Sequence, residues 1–119
     1  MKTLLIVLSL CCVVPSYCAA DESQSPKGKI LWEQRCGVCH TINPPPKIGP
    51  PVRGIVMHYR STYPTREKFS EAVSSWTIHP QAENSLLPQA IQKFGLMPPL
   101  AYDKKELVEI AGWMWDEVQ

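Results

Sequence analysis

The sequence predicts an all-α domain of short helices joined by proline-rich loops. Apolar residues recur at helical spacing in several segments, and no segment gives a convincing strand pattern. Eleven of the twelve prolines follow residue 20, so few regular elements can be long. A core interrupted in this way is thin when it is built from protein alone.

The first predicted helix covers about residues 26–39. Pro26 suits a first helical position, and the apolar residues of this helix are Ile30, Leu31 and Trp32. Residues 43–51, NPPPKIGPP, contain five prolines and are predicted to form an irregular loop that wraps the surface.

Three further helices are predicted. One lies near residues 65–76 with Thr65 as N-cap, and its apolar face comprises Phe69, Ala72, Val73 and Trp76. The next covers residues 86–94, where Gly95 ends it. The last follows Asp103, which has capping-box spacing to Glu106, and its apolar face comprises Leu107, Ile110, Ala111 and Met114.

Residues 1–20 have the order of a secretory signal peptide. Lys2 precedes an apolar run over residues 4–14, and small residues precede the polar start at Asp21. Cleavage would leave residues 21–119 as one domain without stable membrane insertion. An uncleaved signal acting as a membrane anchor is the alternative.

Signal removal changes both the cysteine count and the charge. Of five cysteines only Cys36 and Cys39 remain, which is too few for a disulfide framework. Lys2 is the one basic residue lost, so eleven basic residues balance eleven acidic ones. A net charge of zero gives no indication of nucleic-acid binding.

The segment CGVCH, residues 36–40, allows three chemistries. A thioredoxin-like dithiol needs a strand before Cys36 and an α/β fold, and the sequence indicates neither. A structural zinc site needs four ligands, and His58 and His79 do not form a second ligand pair. Both interpretations are therefore disfavoured.

Haem attachment is the third chemistry, and it suits this chain best. The Cys36 and Cys39 thiols would each add across one haem vinyl group to form a thioether. His40 would then lie under the iron as an axial ligand. The motif is short, but these are the only cysteines predicted to remain after export.

A low-spin carrier needs a second axial ligand, and a methionine thioether favours Fe(II). Met97 follows the helix-ending Gly95 and precedes two prolines, in a loop anchored at both ends, so it is the predicted ligand. The other candidates are interpreted as core packing, as too near His40 in sequence, or as surface histidines: Met114, Met57, His58 and His79.

With these residues in place, the chain resembles the small class I monohaem cytochromes c over residues 26–118. Gly28, Trp32 and Cys36 have the spacing of that family's first helix, and Ile110 and Trp113 match its last helix. Gly49-Pro50 with Val52 and Gly54 resembles its G-P-x-L-x-G loop, and Met97-Pro98 its ligand loop. Residues 43–51 and 55–64 depart from the pattern.

The resemblance implies a cytochrome c fold wrapped around one covalent haem c. It implies that the Pro50 carbonyl accepts a hydrogen bond from the His40 ring and so orients it. The side chains expected to pack on the haem are Trp32, Val52, Trp76 and Phe94.

The expected function is periplasmic electron transfer through one Fe(III)/Fe(II) haem iron, without enzymatic activity. The partners would be a donor and an acceptor redox protein that bind through small interfaces. One alternative is a dedicated cytochrome subunit that accepts electrons from a single periplasmic dehydrogenase or other oxidoreductase. A haem sensor or haem enzyme with a labile sixth ligand is a weaker alternative.

Overall fold

A computed structural model describes residues 26–119, which form five α-helices and a short 3-10 helix without any strand. The helices are α1 (Pro26–Arg35), α2 (Val52–Thr62), α3 (Arg66–Ile78), α4 (Pro88–Phe94) and α5 (Lys104–Glu117), and the 3-10 helix is Ala82–Asn84. The predicted all-α class is confirmed for these residues. The predicted signal peptide, residues 1–20, lies outside the described part of the chain.

Local signals place the boundaries of α3, α4 and α5. The Thr65 side chain accepts a hydrogen bond from the Lys68 backbone N–H, and Asp103 Oδ1 accepts one from the Lys105 N–H at 2.8 Å. Gly95 closes α4 with a φ of 83°, which costs glycine little because it has no Cβ. The predicted caps are therefore confirmed, although Glu106 bonds to a distant side chain instead of completing a capping box.

Helix α1 is shorter than predicted, because it ends at Arg35 and not near Cys39. The Trp32 carbonyl accepts hydrogen bonds from both the Cys36 and the Gly37 N–H, each at 2.8 Å. This shared acceptor replaces the regular helical ladder and turns the chain. Residues 36–39 therefore form hydrogen-bonded turns, and the CGVCH segment begins just beyond the helix.

The prediction of four helices was wrong by one, because it missed α2. Residues 55–64 depart from the pattern of the resembled family, yet α2 runs through most of them and buries Val52, Val56 and Tyr59. Pro64 ends this helix, since a residue before proline avoids helical geometry. Tyr63 accordingly has φ −120° and ψ 84°.

Helix α5 is the centre of the packing and contacts both α1 and α3. It crosses α1 at Gly28, where an added Cβ would lie 2.5 Å from the Glu109 carbonyl oxygen and 2.6 Å from Trp113 Cβ. The close crossing brings the Trp32 and Trp113 rings to 5.5 Å between centroids. On the other side, Phe69 of α3 is fully buried.

No helix among residues 26–119 combines the length and the apolar character that crossing a bilayer requires.

Candidate functional site

A largely apolar cavity of about 380 Å³ opens between the helices. Its walls come from α1, from residues 36–40, from the loop at residues 41–51, from α2 to α5, and from the segment that joins α4 to α5. Among the described residues, no Asp or Glu side chain lines it, and its charged or titratable polar side chains are Arg35 and His40 with the two cysteines and two tyrosines. A volume above ~300 Å³ with few polar groups is typical of a small-molecule or cofactor site.

The CGVCH segment forms one wall of this cavity. Cys36, Cys39 and His40 all line it, and Val38 does so too, although this residue is 66% exposed. The Cys36 carbonyl accepts hydrogen bonds from the Cys39 N–H at 3.1 Å and from the His40 N–H at 2.9 Å. This single turn places both thiols and the imidazole on the same wall. No disulfide joins the two cysteines.

The His40 ring is fixed by the loop that follows it. Its Nδ1 lies 2.8 Å from the Pro50 carbonyl oxygen, which is the contact that the resemblance implies. A carbonyl only accepts, so Nδ1 carries the proton and Nε2 of the neutral ring keeps a lone pair for a metal. Gly49 makes the approach possible, because a Cβ there would lie 2.7 Å from His40 Cε1.

Two methionine side chains reach the cavity, and they are Met97 and Met114. Met57 is outside its walls and 64% exposed, and His58 and His79 are also exposed and outside. Met114 is at once a buried core residue and a wall residue. It is therefore the one rival to Met97 that the tertiary structure keeps at the site.

Three of the four predicted packing residues line the cavity: Trp32, Val52 and Trp76. Phe94 does not, and it is half-buried with the Lys93 ammonium 5.2 Å from its ring centroid. Sequence reasoning missed Ile55 and Tyr59, which α2 contributes to the wall. The signal was present, because residues 52, 55, 56 and 59 have the spacing of one helical face.

Burial raises the pKa of the Cys36 thiol to about 11, although the charge of Arg35 partly opposes the shift. Redox-active dithiols have the opposite property, because a lowered pKa supplies the reactive thiolate. Helix α1, and not a strand, directly precedes Cys36. This placement and the raised pKa both argue against a thioredoxin-like site. The zinc interpretation is also disfavoured, because residues 26–119 contain no group of three or more His, Cys, Asp or Glu side chains arranged to hold a metal ion.

Comparisons of this chain with protein-family models, curated proteins and solved structures found no match. The chemistry of the cavity wall is therefore the basis on which a function can be argued.

Proposed function

We propose that this chain is a small monohaem c-type cytochrome that carries one electron at a time. In this proposal Cys36 and Cys39 would hold one haem c through thioethers, and His40 and Met97 would be the two protein ligands of its iron. One observation carries the proposal. The turn with both thiols and the oriented imidazole faces the same apolar cavity as a methionine from a distant loop.

The residues present suit haem in three respects. The wall is mainly apolar, which matches the porphyrin plate. Its donor set of two thiols, an imidazole and a thioether is the set that haem c with His/Met ligation uses. Three wall residues also have a buried N–H without a partner, and the two haem carboxylates could accept from such groups: Trp32, Arg35 and Trp76.

When bound, the haem iron would supply a one-electron Fe(III)/Fe(II) couple. His40 would donate from Nε2, and the Pro50 carbonyl would keep the ring turned and its basicity high. Met97 would stabilise the reduced state through its soft sulfur. The apolar wall would exclude water. Low polarity favours the reduced haem, because reduction removes the net positive charge of the oxidised iron centre.

With His40 and Met97 both bound, the iron would have no open position for a substrate. The proposed protein is therefore a carrier and not an enzyme. We propose the periplasm as its location, on the basis of residues 1–20, and a cytochrome c fold as the arrangement of its helices. Its partners would be a donor and an acceptor protein. A dedicated subunit of one oxidoreductase would co-elute with that enzyme from the native source, whereas a shuttle would elute alone.

The test is expression with haem-attachment enzymes, followed by Met97→Ala, with Met57→Ala as the exposed control and Met114→Ala as the cavity rival. We expect a mass increase of one haem in all four proteins. The charge-transfer band of the Fe(III)–methionine bond should disappear in Met97→Ala alone. Loss of the band in Met114→Ala alone would move the ligand to α5. High-spin iron in the parent protein would favour a sensor or a haem enzyme.

A further inference from the structure

The segment that carries Met97, here called the Met97 loop (residues 95–103), has few tethers. Among the described residues, its backbone makes two backbone hydrogen bonds outside the turn that starts α5. The Gly95 N–H donates to the Ile91 carbonyl and closes α4, and the Leu100 N–H donates to the Thr77 carbonyl at a long 3.4 Å. Pro98 and Pro99 offer no N–H to hold it. Contacts of side chains must therefore fix much of its position.

Tyr102 provides such a contact near the end of the loop. Its ring lines the cavity and packs against the core, and the Arg35 guanidinium carbon lies 4.6 Å from its centroid. A cation at this distance from an aromatic face is attracted by the ring electrons. Because Arg35 directly precedes Cys36, this contact joins the Met97 loop to the segment that carries His40.

Glu106 also contacts the Arg35 guanidinium. Arg35 Nη2 lies 2.8 Å from one Glu106 carboxylate oxygen and 3.0 Å from the other. Both side chains are about one-third exposed, so the pair is only partly screened by water. The planar guanidinium can stack on Tyr102 and pair with Glu106 at once, which a lysine ammonium reproduces poorly.

We propose that Arg35 is a positioning residue that holds the Met97 loop against the cavity, stacked on Tyr102 and anchored by Glu106. This inference rests on the proposed function, because it assigns Arg35 a part in stabilising the Met97–iron bond. Arg35 itself bonds to neither the thioether nor the imidazole.

The test uses the full haem-loaded chain and four variants. Arg35→Lys keeps the charge but loses the planar stack, and Tyr102→Leu keeps apolar bulk but loses the ring. Tyr102→Phe retains an aromatic face and is the conservative rescue. Lys93→Gln removes another cation from above a ring, that of Phe94, which lies outside the cavity wall.

The first measurement is the affinity of added imidazole for the oxidised protein, since imidazole competes with the Met97 sulfur for iron. Loss of one cation–π contact should raise this affinity about two- to five-fold in Arg35→Lys and Tyr102→Leu. Tyr102→Phe and Lys93→Gln should match the parent. Equal affinities in all five proteins overturn the inference and leave the proposed function intact.

The second measurement needs no haem. Hydrogen exchange of the amides at residues 96–102 should speed up by a similar factor, about two- to five-fold, in the same two variants of the haem-free chain. Unchanged exchange there overturns the inference, whichever result imidazole gives. A chain that takes up no haem would refute the proposed function. It would also refute the assignment of Arg35 to stabilising the Met97–iron bond.

Discussion

Replacing Gly49 with alanine should displace the His40 ring from its position in the cavity wall. The backbone at Gly49 is not left-handed, so alanine meets no conformational penalty there. The conflict is purely one of space. The added Cβ would lie 2.7 Å from His40 Cε1, 3.0 Å from Nδ1 and 3.2 Å from Nε2.

The size of the displacement follows from these distances. Ordinary Cβ contacts begin at 3.4 Å, so the ring must retreat by about 0.7 Å, the difference between 3.4 and 2.7 Å. If the retreat lengthens the 2.8 Å contact from Nδ1 to the Pro50 oxygen, that distance reaches about 3.5 Å and the hydrogen bond is lost. We expect a loss of about 1–3 kcal/mol in the free energy of unfolding.

The assay combines denaturant unfolding with the NMR signal of the His40 Nδ1–H proton. Gly54→Ala is the matched control, because a Cβ at that helical position meets nothing within 4 Å. Alanine should stabilise α2 there by about 0.5–1 kcal/mol. A Gly49→Ala protein that is as stable as Gly54→Ala and retains a protected Nδ1–H signal would refute this displacement of the His40 ring.

Four other predictions concern packing, the ionisation of Cys36 and charge pairing. Gly28→Ala should cost about 1–3 kcal/mol of unfolding free energy, because its Cβ would lie 2.6 Å from Trp113 Cβ across the α1–α5 crossing; unchanged stability would contradict that crossing. The raised Cys36 pKa of about 11 predicts that haem-free protein loses stability as pH rises from about 9 to 11, since the folded chain holds the proton more tightly. For the same reason, iodoacetamide at pH 8 should alkylate Cys36 on the order of 100-fold more slowly in the folded than in the unfolded chain, and equal rates would show an accessible thiolate. Asp116→Asn should cost about 1 kcal/mol by weakening the two-oxygen contact with Arg66, and the loss should shrink at high salt.

Local signals predicted some elements well and missed others. The caps of α3 and α5 were predictable because Thr65 and Asp103 bond to backbone groups two or three residues away. Helix α2 was missed although its apolar spacing is regular. It contains β-branched residues and Gly54, which favour helix only weakly, and it follows a proline-rich loop. Its helical state depends on burial of one face, which is a tertiary effect.

The candidate site shows the same division. The thiols and imidazole of CGVCH were predictable because one turn of chain sets their spacing. The choice among methionines was only partly predictable. The structure removes Met57, since its side chain is 64% exposed, but it keeps Met114 beside Met97 on the wall.

The sequence by itself determined the all-helical class, the caps and the chemistry that residues 36–40 can offer, because each depends on neighbours within a few residues. The tertiary structure decided which distant groups share the cavity with them. It brought the Met97 loop, the Pro50 carbonyl and the face of α2 to the same cavity, and it brought Arg35 into contact with both Tyr102 and Glu106. Such contacts between distant residues depend on how helices cross and how loops close over them. The spacing of residues along the chain does not encode that geometry.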